Sequence, residues 1–238
     1  MHDVAPHTWR GDIDPAFAKL VSGKSVAIVG PARTIFGLQQ GAHIDAHDLV
    51  VRFNDTFDLP LRRELAADIG TRTDILYCNQ VILKQLGASA LAYPGLQAIV
   101  CTNNSLSFTL ASEPSLARHT PPPLVRVVQA ASATLSAWLG GNWARTGMIG
   151  ILDALSFGPR ALFITGMTFY HGGGHVLAPE TRELHPQKNR DGSSSISPSG
   201  QGHDSYLELE IMKALASEYS QVIEVDEALA SLLGRRSG

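Results

Sequence analysis

The 238-residue chain is predicted to be an α/β protein: a single Rossmann-like, doubly wound, mostly parallel sheet with helices on both faces. Three observations predict this. Short apolar runs recur at Val26 to Val29, Leu49 to Phe53, Ile75 to Cys78, Gln97 to Cys101, Val125 to Val128, Ala161 to Thr165 and Gln221 to Val225. Continuous apolar runs of this length are the pattern of strands buried on both faces. Segments of helical spacing lie between them, as in Ser205 to Tyr219, where Leu207, Ile211 and Leu215 share a face. The first two runs end in Gly30-Pro31 and Asn54-Asp55, small and polar residues of the kind that rim a nucleotide crevice in an open α/β sheet.

Composition sets the bounds. A chain of this length can bury one core, so one domain over 1–238 is expected, with residues 1–23 as an N-terminal extension. Hydrophobic content of 44% and a net charge of −3 give no basic excess, which argues against a nucleic-acid partner. No run of about 18 apolar residues occurs, so no membrane span is expected. The start, MHDVAPHTWRGDIDP, lacks the basic and apolar regions of a signal peptide, and the expected location is cytoplasmic. Cys78 and Cys101 each sit beside an apolar run, which reads as buried free thiols.

In chain order, Pro15 to Val21 is a short helix capped by Asp14. Asp12-Ile13-Asp14 has the D-x-D form that holds a metal in many glycosyltransferases. That use needs a strand end, whereas here it precedes the first strand; capping is the preferred reading and no metal is expected. Gly30 lets the chain pass close to a ligand, and a short helix is expected from Thr34 to about Gln40 with free amides facing the turn. The segment lacks both G-x-G-x-x-G and G-x-x-x-x-G-K-[ST], which excludes an NAD-type dehydrogenase and a P-loop protein. A helix is expected around Gln80 to Leu86. Thr102, Asn103 and Asn104 follow a strand and either reach the crevice or serve a turn. A proline-rich turn spans His119 to Pro123, and helices are expected over Ala133 to Leu139 and Thr146 to Phe157. Residues 170–202 are rich in Gly, Ser, Pro and His without apolar period, as in a lid or acceptor loop. The tail LASLLGRRSG ends basic.

Two further stretches carry chemistry. In Asn142 to Leu155, NWARTGMIGILDAL, Thr146 heads a helix and Gly147 leaves room for a flat group against the backbone. A hydroxyl with free helix amides can read a nucleobase or phosphate; equally, the pair can be a cap and a packing glycine. His203 and Glu208 stand at the head of the last helix with four residues between them. An imidazole at a helix N-terminus is disfavoured in its charged form and so stays available as a base.

The wording of these stretches resembles the animal-type sialyltransferase family. IVG at Ile28–Gly30, IDAHDLVVRFN at Ile44–Asn54 and DIGTRTD at Asp68–Asp74 are similar to the large sialylmotif, with its G-N-S-G-like turn, I-D-x-H-D-x-V-x-R-x-N segment and D-x-G-x-[KR]-T follow-on. The Thr146 stretch and Ile164-Thr165-Gly166-Met167-Thr168 look like the small sialylmotif, and His203 with Glu208 has the H-x-x-x-x-E spacing of the very small one.

The resemblance implies a GT-A-like variant of the Rossmann fold and an inverting glycosyltransferase, independent of metal and cofactor. The donor would be CMP-sialic acid or, since the same scaffold serves 3-deoxy-octulosonate transfer in plants, CMP-Kdo. The acceptor would be a saccharide or glycolipid, met by peripheral association at the inner face of a membrane. It implies His203 as general base and a loop histidine on the leaving phosphate, for which His175 fits better by distance than His171 or His185. Gly30, Ala32, Arg33 and Asn54 would hold ribose and phosphate, Thr146 and Gly147 the base, with Gly166 to Thr168 beside the cytidine. There are departures. The turn reads Gly30-Pro31-Ala32-Arg33, the family serine is Arg145, and the family tyrosine is Trp143, which offers only an indole N–H. The disulfide that ties first strand to small-motif helix in animal members falls on Val26 and Leu155, an apolar pair. The alternative is a non-catalytic nucleotide- or glycan-binding relative.

Overall fold

The computed structural model describes residues 11–58, 63–79, 93–102, 123–171 and 202–234. It contains a seven-stranded sheet, in chain order β1 (Ser25–Val29), β2 (Leu49–Phe53), β3 (Ile75–Cys78), β4 (Ala98–Cys101), β5 (Leu124–Val127), β6 (Ala161–Thr165) and β7 (Ile223–Val225). The spatial order is β5-β4-β3-β2-β1-β6-β7 and every pairing is parallel. The chain therefore winds outward one way from β1 to β5, then returns and continues the other way from β6. The direction reverses between β1 and β6, where open α/β sheets bind their ligands.

Alternation along the strands divides the core. Val26, Ile28, Val51, Tyr77, Val100 and Ile164 face one side, packed against α1 (Pro15–Val21), α4 (Ala130–Trp138), α5 (Thr146–Ser156), α6 (Ser205–Glu218) and α7 (Glu227–Leu232). Ala27, Val29, Val50 and Phe163 face the other side, under Ile44 of α2 (Gly41–Asp45) and Ile69 of α3 (Ala66–Ile69). Helices thus cover both faces, as the apolar runs required.

Asp14 caps α1 as expected, accepting from the Phe17 N–H at 3.0 Å. Asp12 accepts from the backbone N–H groups of Gln129 and Ala130 at the start of α4. Both carboxylates also face Arg126. Cys78 and Cys101 are register partners on β3 and β4, buried and free. The hydrogen bond that Cys78 donates to Cys101, with burial, pushes the Cys78 thiol well up. Val26 and Leu155 are buried in the same core.

One expectation is corrected. The helix from Thr34 to about Gln40 does not form; a 3-10 turn covers Arg33–Ile35, and Gly37 and Gln39 then take positive φ of 84° and 55°, which no right-handed helix tolerates. The helix comes later, at Gly41–Asp45. After β7 the chain forms α7, on which the sequence pattern set no expectation; its N-terminus is capped by Asp226 accepting from the Leu229 N–H at 2.8 Å. The expected helix at 80–86, Asn103, Asn104, most of the proline-rich turn and 172–201 lie outside the described residues.

Candidate active site

The carboxyl ends of β1 and β6 cross at contact distance. The Gly30 N–H donates to the Thr165 carbonyl and the Ala32 N–H to the Gly166 carbonyl, both at 2.8 Å. A Cβ on Gly30 would stand 2.3 Å from the Gly166 oxygen and 2.4 Å from Met167 Sδ. It is this approach that requires glycine, since Gly30 does not take a positive φ; Gly166 does, at 65°. Gly147 completes the knot: its missing Cβ would lie 2.5 Å from the Met167 ε-methyl. Three sequence stretches thus converge, placing Thr146 and the head of α5 beside the β1–β6 crossing. Asp226, which the sequence reading overlooked, backs the crossing. Its buried carboxylate accepts from Thr165 Oγ1 and the Gly166 N–H, each at 2.8 Å. Gly30→Ala is expected to destabilise the fold by about 2 kcal/mol, because backbone must move to admit the methyl. A denaturant midpoint unchanged from wild type would refute this.

Beyond the crossing, Arg33 is exposed at the head of its 3-10 turn, and Thr34 Oγ1 is buried without a hydrogen-bond partner among the described residues. Buried hydroxyls ordinarily find a partner, so this one is suited to a ligand atom. Asn54, at the end of β2, holds φ at 51° and accepts from the Asn79 N–H at 3.0 Å, bracing the ends of β2 and β3. A non-glycine residue kept in this region marks an over-determined rim.

Much of the large-motif wording proves to be scaffold. Arg52 is 1% exposed and donates to the Ile69 carbonyl at 2.5 Å and the Arg72 carbonyl at 3.2 Å. Burial lowers its pKa to about 10, so it stays charged. Asp45 accepts from the Thr71 N–H and hydroxyl; Asp48 accepts from the Ser25 N–H and hydroxyl; Asp74 accepts from the Val50 N–H. These carboxylates and Arg52 hold the backbone around β1 to β3, and of the Ile44–Asn54 and Asp68–Asp74 segments it is Asn54 that stands at the rim.

Against the strip that precedes α5 lies His203. Its Nδ1 is 2.8 Å from the Trp143 carbonyl. A carbonyl only accepts, so Nδ1 carries the proton and Nε2 presents a lone pair. Burial, with the charge of Arg145 nearby, holds the imidazole below its ordinary pKa, against the opposing hydrogen bond to Trp143. Trp143 is 45% exposed, its ring edge-on to His203 at 6.4 Å. Backbone ties the two strips: Trp143 N–H donates to the Gly202 carbonyl at 2.9 Å. Glu208 does not touch His203. It is fully buried and accepts from the Arg145 N–H at 2.7 Å and Arg145 Nη1 at 2.6 Å. Thr168 is buried at the exit of β6, followed by Phe169 and Tyr170 with positive φ of 50° and 63°. His171 reaches the Ser205 carbonyl at 3.3 Å and meets the Tyr206 ring edge-on; His175 and His185 lie outside the described residues. Among the described residues, no cluster of three His, Cys, Asp or Glu could hold a metal, and no helix is long and apolar enough to cross a membrane.

The family model of glycosyltransferase family 29 (sialyltransferase) matches residues 17–134. The chain belongs to this family. Its fold is similar to that of a mammalian sialyltransferase solved with Gal-beta-1-3GalNAc-ortho-nitrophenol, at TM-score 0.59 and 18% identity, covering 91% of this chain and 74% of the other. It is also similar to the monofunctional alpha-2,3-sialyltransferase Cst-I from Campylobacter jejuni, at TM-score 0.51 and 16% identity, covering 90% and 82%. No curated protein matches the chain by sequence. As a family-29 glycosyltransferase, the chain has its His203 strip and small-motif helix beyond the matched segment, on the return half of the sheet.

Proposed function

We propose that this family-29 member is an inverting, metal-independent transferase that moves an acidic keto-sugar, sialic acid or Kdo, from its CMP donor to a saccharide hydroxyl. The observation that carries the proposal is the fixed imidazole: Nδ1 held by the Trp143 carbonyl at 2.8 Å, Nε2 left as a lone pair. Nε2 takes the proton from the acceptor hydroxyl as that oxygen bonds to the anomeric carbon. The bond from that carbon to the CMP oxygen breaks on the opposite face, and its electron pair leaves with the phosphate. The configuration therefore inverts. A single monophosphate leaves less charge than a diphosphate, so hydrogen-bond donors and a cation suffice to stabilise it without a metal.

In this reading the Gly30–Thr34 turn holds the phosphate, with Arg33 and the buried Thr34 hydroxyl replacing the amide that the family turn supplies. Asn54 holds the ribose, Thr146 and Gly147 the base, and Gly166 and Thr168 flank the cytidine. The Trp143 indole N–H and His175 serve the leaving phosphate. The acceptor is a saccharide or glycolipid, reached in the cytoplasm at the inner membrane face. Calorimetric titration with CMP, with UMP and NAD as controls, followed by turnover of CMP-sialic acid and CMP-Kdo against mixed saccharide acceptors, tests the proposal. Selective CMP binding with turnover of one donor is expected. No CMP binding overturns the donor site; CMP binding without turnover of either sugar points to a binding protein of the same fold.

A further inference from the structure

Arg145 is one residue that the sequence reading left without a role, and its surroundings are unusual. Its backbone N–H and Nη1 both go to Glu208, which is 0% exposed. Its guanidinium lies 4.6 Å from the centre of the Tyr170 ring, and Nη2 is 3.5 Å from Ser205 Oγ. One side chain therefore joins three elements: the strip before α5, the strained exit of β6 and the first turn of α6. Two residues before it in the same strip is the Trp143 carbonyl that holds His203, and the Gly202 amide meets Asn142 Oδ1 at 3.3 Å. Displacing the 142–145 strip would move the carbonyl that fixes the base.

From this geometry we infer that Arg145 is a positioning residue: clamped by buried Glu208, it fixes the Trp143 carbonyl and so the tautomer and aim of His203. The inference rests on the reading of His203 as the base. An arginine suits the position because its planar fork can bond a carboxylate and stack on an aromatic ring together, which a serine at this place cannot do. Its charge adds a second effect. Arg145 is the cation facing His203 from the α5 side and disfavours the imidazolium. Among the described residues, the neighbouring charged or titratable groups are each engaged elsewhere. Glu208 is paired to Arg145; Asp204, on the same turn, accepts from the Leu207 N–H; His171 faces the Ser205 carbonyl.

Arg145→Met alone would strand a buried carboxylate and could unfold the strip, so the informative variant is Arg145→Met with Glu208→Gln. Glutamine Oε1 can still accept the backbone N–H, while the charges and the fork are gone. Ring-nitrogen NMR of the whole protein, with His203 assigned by its loss in His203→Gln, reads tautomer and titration directly. In the wild type, His203 is expected as the Nδ1–H tautomer titrating below about 6.5. In the double variant a mixture of tautomers and a higher midpoint are expected. The acidic limb of kcat/KM would shift upward in parallel, and kcat would fall about tenfold or more at unchanged donor KM. Arg145→Lys, which restores the charge but not the fork, should recover the midpoint more than kcat. A folded double variant with wild-type tautomer, midpoint and acidic limb overturns the inference. Should the wild type turn over no CMP-sugar, the proposed function fails, and the NMR arm still decides the inference unaided.

Discussion

Replacing His203 by alanine is expected to lower kcat by about 10²- to 10⁴-fold while CMP affinity stays within about twofold of wild type. The imidazole touches the strip of Trp143 through a single hydrogen bond and is only partly buried, so its loss removes a proton acceptor without opening the core. A fall in donor affinity as large as the fall in kcat would sink the assignment, because it would make His203 a donor-binding group. The pH profile gives a second check. Burial and Arg145 place the folded imidazole below its ordinary value, so the neutral, basic form persists to lower pH. The acidic limb of kcat/KM should fall below about pH 6.5 and vanish in the variant's residual activity. Linkage has the same origin: the unfolded chain binds the His203 proton more readily, so stability rises with pH between the depressed folded value and about 6.5. His203→Ala should flatten that rise, measurable as the difference in denaturant midpoint between pH 5 and pH 8.

The parts of this protein that were legible are those where local pattern and global role agree. The inner strands β1, β2, β3, β4 and β6 were readable because parallel strands buried on both faces are largely apolar, and the edge strands β5 and β7 from the apolar residues around Arg126 and Glu224. The helix of Pro15–Val21 was readable because Asp14 and Pro15 occupy the positions that start a helix. Reading failed where the deciding partner lies far along the chain. Nothing near Glu208 says that its carboxylate belongs to Arg145, 63 residues earlier. Asp226 similarly reads as a polar loop residue, although it serves Thr165, Gly166 and the start of α7 together. The short helix misplaced at Thr34 failed for a local reason: Gly37 and Gln39 carry the chain through left-handed conformations before helix can begin. Within the site, wording located the motifs but not their division of labour. The large motif's Arg52, Asp45 and Asp74 build the turn and leave Asn54 at its rim, a distinction visible only once the hydrogen bonds are known.

Arg126 is where the largest loss of stability is expected. The sequence shows it as one charge inside a β-strand run, Val125-Arg126-Val127, with no partner nearby. In the fold it is 6% exposed and meets Asp153, which is fully buried on α5. Tyr77 on β3 donates its hydroxyl to the same carboxylate at 2.7 Å. The guanidinium also lies 3.2 Å from Asp12 and 3.3 Å from Asp14, over the rings of Phe17 and Phe157 at 4.4 and 5.0 Å. It thereby joins β5 to the segment preceding β1, to α1 and to the helix that carries Thr146 and Gly147. Burial pushes the Asp153 carboxyl up; Arg126, and after it the Tyr77 hydroxyl, oppose the rise. Arg126→Met keeps the volume but leaves Asp153 without its cation, which should cost about 3–5 kcal/mol, read as a fall in the urea midpoint. Adding Asp153→Asn should restore a large part of that loss, since a neutral amide can still accept from Tyr77 without a buried charge. Two losses that simply add would mean the pair is not coupled in the folded state, and the stability of the helix bearing the small motif would have to come from packing alone.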